Sequence, residues 1–286
     1  MKTVNYDQMR RLAANIRIET LRALAEVGFG HVGGSMSIAD VLAVLYGGEM
    51  QIDPANPAWE ERDRLVLSKG HCGPALYAVL ALKGYFPMEW LKTINKLGTR
   101  LPSHADMQKT PGVDMTTGSL GQGISAAVGI ALGAKLRKQS SRTFCIVGDG
   151  ESNEGQVWEA VQAAVHHKLE NLYIILDWNK KQLDGTLEQV LDPKDLAAKY
   201  AAFGCDVRTV RGYDVEEIHR GIHEAAAVTG MPHVIVLDTV KGIGCDFAEQ
   251  VAFNHYMVLD AAMAEQAAAE IERRLAGNCY PGGEAR

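Results

Sequence analysis

Three carboxylates, Asp149, Glu151 and Glu154, lie among glycines 148, 150 and 155 in a single short stretch. Glycine at 148 and 150 lets backbone N–H groups come close to a bound group, and a helix N-terminus just beyond favours an anion such as a diphosphate. Acidic side chains would repel a bare diphosphate, so this chemistry requires a divalent cation between carboxylate and phosphate. Thirty residues downstream, Asn179 offers a second hard oxygen ligand. Taken alone, Asp149 reads better as a helix N-cap, but that reading leaves Asn179 unexplained.

The elements that must position these residues follow from periodicity. An apolar, β-favouring run from Thr143 to Val147 leads into the acidic turn, and an amphipathic helical pattern follows it. The next apolar run, Leu172 to Asp177, ends at Trp178, Asn179, Lys180 and Lys181. That spacing is one strand–helix–strand unit, which brings Asp149 and Asn179 to the carboxyl ends of two parallel strands. Asp and Asn oxygens, a backbone carbonyl near Lys181, two phosphate oxygens and a water would complete the octahedral shell of Mg2+.

Further strands are expected at Leu65–Leu67, Cys205–Val210 and His233–Asp238. Helices are expected over 7–27, through Ile38 to Val44, over Gln122–Lys138, from Asp195 through Tyr200, and over 214–227 and 260–275. Alternation of this kind implies an α/β fold, a parallel β-sheet with helices on both faces, built as a single domain over 1–286. Its core spans about 7–275, followed by a polar, mobile tail at 277–286. Two histidines arrive at equivalent loop positions, His31 in the small-residue loop Val32–Ser35 and His71 after a strand, and His104 lies in the aperiodic stretch 98–123, which should wrap the site. Each taken alone could be an idle loop or capping histidine. The glycines at 118, 121 and 123 mimic a dinucleotide fingerprint, but no apolar strand leads into them.

At 286 residues and 47% apolar content the chain can bury a large core. A net charge of −6 without a basic block argues against nucleic acid and anionic membranes as partners. The N-terminus lacks an apolar signal core and no run is long enough to cross a bilayer, so a soluble, cytoplasmic chain is expected. Five scattered cysteines form neither a zinc pattern nor a disulfide framework, and Cys145 and Cys205 should pack in strands.

Gly148-Asp149-Gly150 followed by Asn179 resembles the thiamine-diphosphate motif. In order, Gly30 and His31, Leu67 to His71, Pro102 to His104, and Thr117 to Gly123 are similar to the diphosphate-binding half of transketolase, covering about Arg17 to His255. The resemblance implies transfer of a two-carbon ketol unit from a ketose phosphate to an aldose phosphate, with the cofactor as electron sink. It implies Asp149, Asn179 and the Lys181 carbonyl as ligands of Mg2+, with Ca2+ or Mn2+ as substitutes. Gly150 would meet the diphosphate, Gly118 and Leu120 the aminopyrimidine ring, and His31, His71, His104 and His255 would bind diphosphate and donor hydroxyls and transfer protons. Val32 after His31, Ser103 before His104, and Tyr256 and Met257 after His255 depart from the common family pattern. No second, pyrimidine-binding domain fits after residue 255. The expectation is therefore the N-terminal subunit of a split transketolase, paired with a separate C-terminal subunit, as an α2β2 heterotetramer with Glu154 at the interface. Rival readings are a transketolase subunit for a sulfo- or branched sugar, the α chain of a 2-oxoacid dehydrogenase, and a non-catalytic sensor.

Overall fold

The computed structural model describes residues 4–277. Two short strands, β1 (Phe29–Gly30) and β7 (Met257–Val258), flank in sequence the five that build the main sheet: β2 (Arg64–Leu67), β3 (Thr143–Gly148), β4 (Leu172–Trp178), β5 (Asp206–Arg211) and β6 (His233–Asp238). All five are parallel, in the order β2-β3-β4-β6-β5.

Side chains of successive strand residues point to opposite faces. Phe144, Ile146, Tyr173, Ile175, Ile235 and Leu237 join one apolar core. Cys145, Val147, Ile174, Leu176, Val234 and Val236 join the other. Both faces therefore need helical cover, and strands buried on both sides read as continuous apolar runs. The helices Tyr6–Ala25, Gly73–Leu82, Val215–Ala225 and Ala261–Ala276 contribute to the first core, and Gln122–Leu136, Gly155–His166 and Leu196–Ala202 to the second. Caps explain several helix starts: Asn5, Asp195 and Asp260 each accept the backbone N–H three residues on, and Asp214 those of Glu216 and Glu217.

Some expectations need correction. The stretch Val32–Ser35 is not an open loop: Gly33–Met36 is a buried helical turn, and a second helix follows at Ala39–Val44. The reason is a close backbone contact. Gly33 N–H donates to the Asn254 carbonyl at 2.9 Å, and a Cβ on Gly33 would lie 2.4 Å from that oxygen. Cys205 is buried but stands just outside the edge strand, because pairing with β6 begins at Asp206. All four described cysteines are free thiols, while Cys279 and tail residues 278–286 lie outside the described residues. Among the described residues, no helix is long and apolar enough to cross a membrane.

Candidate active site

Four loops leave the carboxyl ends of the sheet together. His71 follows β2 in the turn Gly70–Cys72, Asp149 follows β3, Asn179 follows β4 and Lys241 follows β6. The β1–β7 ribbon adds the remaining pieces. It is antiparallel, with Phe29 opposite Val258 and Gly30 opposite Met257. One step further in that register, His31 faces Tyr256 and its ring lies 5.2 Å from both Tyr256 and His255.

The histidine rings converge from four separate chain segments. His31 is 5.3 Å from His71 and 5.7 Å from His104, and His71 is 4.6 Å from His255. Such crowding of potential cations in a partly buried site disfavours protonation. Burial, then His104 and Lys241, pull His31 down to about 4. Burial, then Lys241 and His31, bring His255 to about 3, and burial with Lys69 holds His71 well below its ordinary value. At neutral pH these three rings are uncharged, so each offers one N–H donor and one acceptor nitrogen.

The acidic turn is more differentiated than its sequence suggests. Asp149 is buried, and its carboxylate accepts from Gly150 N–H at 2.8 Å and Lys180 N–H at 2.6 Å, tying β3's turn to β4's. It is not the N-cap of the following helix, whose cap residue, Glu154, makes no side-chain capping bond. Burial, then Asp177, raises the Asp149 pKa to about 7. Glu151 faces inward, accepting from Ser68 Oγ at 2.5 Å, Gly121 N–H at 2.9 Å and Gly148 N–H at 3.0 Å. Its carboxylate ties the Ser68 and Gly121 segments to its own turn, a role its place in the acidic stretch does not reveal.

Asp177, fully buried at the end of β4, accepts from Ser37 Oγ at 2.7 Å, from Lys69 Nζ, and from Asn179 Nδ2 at 2.7 Å. Holding the Asn179 amide nitrogen inward fixes its oxygen, which accepts the Lys181 N–H at 3.2 Å and keeps a second lone pair for a ligand. Burial alone would lower the Lys69 pKa, but the ion pair with Asp177 raises it. Lys241 Nζ lies 3.2 Å from the Lys181 carbonyl, 3.3 Å from the Gln182 carbonyl and 3.1 Å from His255 Nδ1. Burial, then Lys69, lowers Lys241 to about 8. Motif and spacing assign no role to Lys69, Asp177 or Lys241. The signal that could have found the first two is a polar residue at the end of an apolar strand, Asp177 closing Leu172–Leu176 and Lys69 two residues after Leu67.

Glycines close the pocket wall. Gly118 has φ +152° and a Cβ there would lie 3.2 Å from His104, so the 117–118 segment packs onto that ring. Leu120 and Glu154 are exposed at the rim. A Cβ on Gly150 would come within 2.8 Å of Gln182. Three buried polar atoms at this edge, Asp177 Oδ1, Gln182 Nε2 and Thr239 Oγ1, have no hydrogen-bond partner within the protein. With an all-oxygen donor set at Asp149, Asn179 and Lys181, the site suits a hard divalent cation and the polar group it carries.

Residues 8–279 match the family described as "Transketolase, thiamine diphosphate binding domain". The structure superimposes on transketolase from Campylobacter jejuni with a TM-score of 0.87 and 29% identity, covering 98% of this chain and 44% of that one. The chain belongs to the transketolase family and comprises its thiamine-diphosphate-binding domain. It is 50% identical over 90% of its length to the 6-deoxy-6-sulfo-D-fructose transketolase subunit SqwG of Clostridium sp. (strain MSTE9), covering 94% of that protein. It is also 37% identical over 86% of its length to an apulose-4-phosphate transketolase subunit of Phocaeicola vulgatus, covering 87% of that one. Within the family, this chain therefore corresponds to the N-terminal subunit of a split transketolase.

Proposed function

We propose that this chain binds thiamine diphosphate through Mg2+ held by Asp149, the Asn179 side-chain oxygen and the Lys181 carbonyl, as one domain spanning 1–286. With a separate C-terminal subunit it transfers a two-carbon ketol unit from an anionic ketose to an aldose phosphate. What supports this reading is the gathering of four histidine rings at the carboxyl ends of the parallel strands, where Asp149 and Asn179 also lie. Ca2+ or Mn2+ would substitute, since the donors are hard oxygens.

When bound, thiamine diphosphate supplies the electron sink for cleaving and forming a carbon–carbon bond beside a ketone. The protein's own part is orientation and proton movement. Gly150 presents its backbone to the diphosphate, and Lys241 adds positive charge on the same side. His31, His71, His104 and His255 line the donor end, where neutral imidazole takes a hydroxyl proton and returns it. Gly118 and Leu120 border the aminopyrimidine, and Glu154 stands where the C-terminal subunit docks.

We take the assembly to hold two copies of each chain, with one open helix face as a place where another chain can dock. The helix Gln122–Leu136 carries Gly129 and Gly133 with open space beside them, and Leu136 at its end is exposed. We place this α2β2 enzyme in the cytoplasm, where charged sugar phosphates are retained. The 50% identity to a sulfofructose transketolase subunit makes 6-deoxy-6-sulfofructose the first donor to assay, beside apulose 4-phosphate and fructose 6-phosphate. Co-purified with its C-terminal subunit, the chain should transfer ketol units, and His255→Ala should lower kcat/KM by about 10²-fold or more while cofactor binding persists. Ketol transfer at full rate by this chain alone, or an unaffected His255→Ala assembly, would overturn the proposal.

A further inference from the structure

By the amino ends of the sheet strands, a second cluster of ligand-type side chains has no place in ketol transfer. His219 and His223 stand one turn apart on the helix Val215–Ala225, so both rings project from one face. Glu49, buried at the end of the turn Leu45–Glu49, lies against them. Its Oε2 is 3.7 Å from His219 Nε2 and 3.1 Å from His223 Nε2. One ligand atom from each of the three residues falls within 4.8 Å of the others. Two ligand atoms each about 2.0–2.1 Å from a tetrahedral Zn2+ are roughly 3.4 Å apart, and the two carboxylate–imidazole separations bracket that spacing.

We propose that Glu49, His219 and His223 form a binding site for a divalent late first-row cation of the Zn2+ class. Two imidazoles and a carboxylate are the donor set of many three-ligand zinc sites, which keep a fourth position for water. His223 is largely exposed and opens the site to solvent, while Glu49 and His219 are held from behind. Glu49 Oε1 is paired with Arg142, which leaves Oε2 toward the rings. Asp63 also pairs with Arg142 at 2.8 Å, which holds that guanidinium and Glu49 in place. Tyr6 Oη lies 3.3 Å from His219 Nδ1. With Nδ1–H donating to Tyr6, the Nε2 lone pair is directed at the site, and Tyr6 acts as a positioning residue.

This site is separate from the ketol-transfer site. Asp63 and Arg142 immediately precede β2 and β3, whereas His71 and Asp149 follow them. Six residues of β3 at about 3.3 Å each set the two sites about 20 Å apart. A bound cation would tie the helix Val215–Ala225 to the turn at Glu49.

The full-length chain, stripped with a chelator and held in excess Mg2+ to saturate hard-oxygen sites, should bind one Zn2+ by calorimetry. Co2+ in its place should show the visible absorption of a four-coordinate N,O site. His223→Ala, at an exposed position, should lose that equivalent and the Co2+ bands, whereas Asp149→Asn should keep both. Tyr6→Phe should weaken Zn2+ by about 10-fold or more with stoichiometry unchanged. Anomalous scattering at the zinc edge should place the ion between the three residues. Equal Zn2+ binding by wild type and His223→Ala, or no saturable binding by wild type, would overturn the assignment and leave a plain carboxylate–histidine contact.

Discussion

Replacing Asp149 with Asn should move stability and cofactor response in opposite directions. In the cofactor-free chain the Asp149 carboxyl is buried, and burial followed by Asp177 lifts its pKa from 3.8 to about 7. A folded-state pKa above the unfolded one means that its contribution is most favourable below about 3.8 and is lost as pH rises through about 7. A shift of this size corresponds to about 4 kcal/mol at pH 8. Against that gain, Asn has one oxygen where the carboxylate has two, and the mismatch at the N–H of Gly150 or Lys180 costs about 1–3 kcal/mol. The net expectation is a variant more stable by about 1–3 kcal/mol at pH 8, a rise in Tm of roughly 2–10 °C for a domain of this size. The advantage should shrink by about 2 kcal/mol at pH 5.5, where the wild-type carboxyl is largely protonated in the fold. Ligand response should reverse the order. Mg2+ and thiamine diphosphate at a hundredfold excess over Kd should stabilise the wild type by about 2.7 kcal/mol and the Asp149→Asn variant scarcely at all. Differential scanning fluorimetry with and without ligands, at both pH values, measures all four quantities. An Asp149→Asn chain that is no more stable without ligand at pH 8, or that gains as much from cofactor as wild type, would refute the reasoning.

Two further substitutions test the scaffold. Arg17 is buried, paired with Asp40 and donating to the Ile243 carbonyl at 3.1 Å, so Arg17→Met should destabilise by about 3–5 kcal/mol in urea melts by stranding Asp40. The double variant Arg17→Met with Asp40→Leu should recover most of that loss; no recovery would mean that packing, not the unpaired charge, dominates. A Cβ on Gly70 would lie 2.7 Å from the Thr117 carbonyl carbon and 2.8 Å from the Gly118 nitrogen, and Thr117 Oγ1 donates to the Leu67 carbonyl at 2.6 Å. Gly70→Ala should therefore displace the 117–118 segment, cost about 1–3 kcal/mol and weaken thiamine diphosphate in a fluorescence titration. Unchanged affinity would show that this segment does not border the cofactor.

Periodicity and turn chemistry make much of the architecture readable from the chain alone. Apolar runs at Leu65–Leu67, Thr143–Val147, Leu172–Asp177 and His233–Asp238 are legible because strands covered on both faces have no polar side to alternate with. The separation of Asp149 from Asn179 is equally readable, since one strand–helix–strand unit fixes both ends of its span. Local sequence does not encode what distant segments do to each other. Val32 to Ser35 reads as a loop because only contact with Asn254 explains Gly33 and the buried helical turn Gly33–Met36. The inward aim of Glu151, the hold of Asp177 on Asn179, and the approach of Lys241 to His255 are side-chain contacts made only once the strand-end loops have been gathered at one edge of the sheet. His31 and His255 meet through a two-residue ribbon too short to leave a periodic trace. Residue type and spacing thus determined which strands exist and which end of them carries the oxygen ligands. Side-chain direction, charge pairing and the state of each imidazole were decided by tertiary packing, because they depend on which groups share a low-dielectric space.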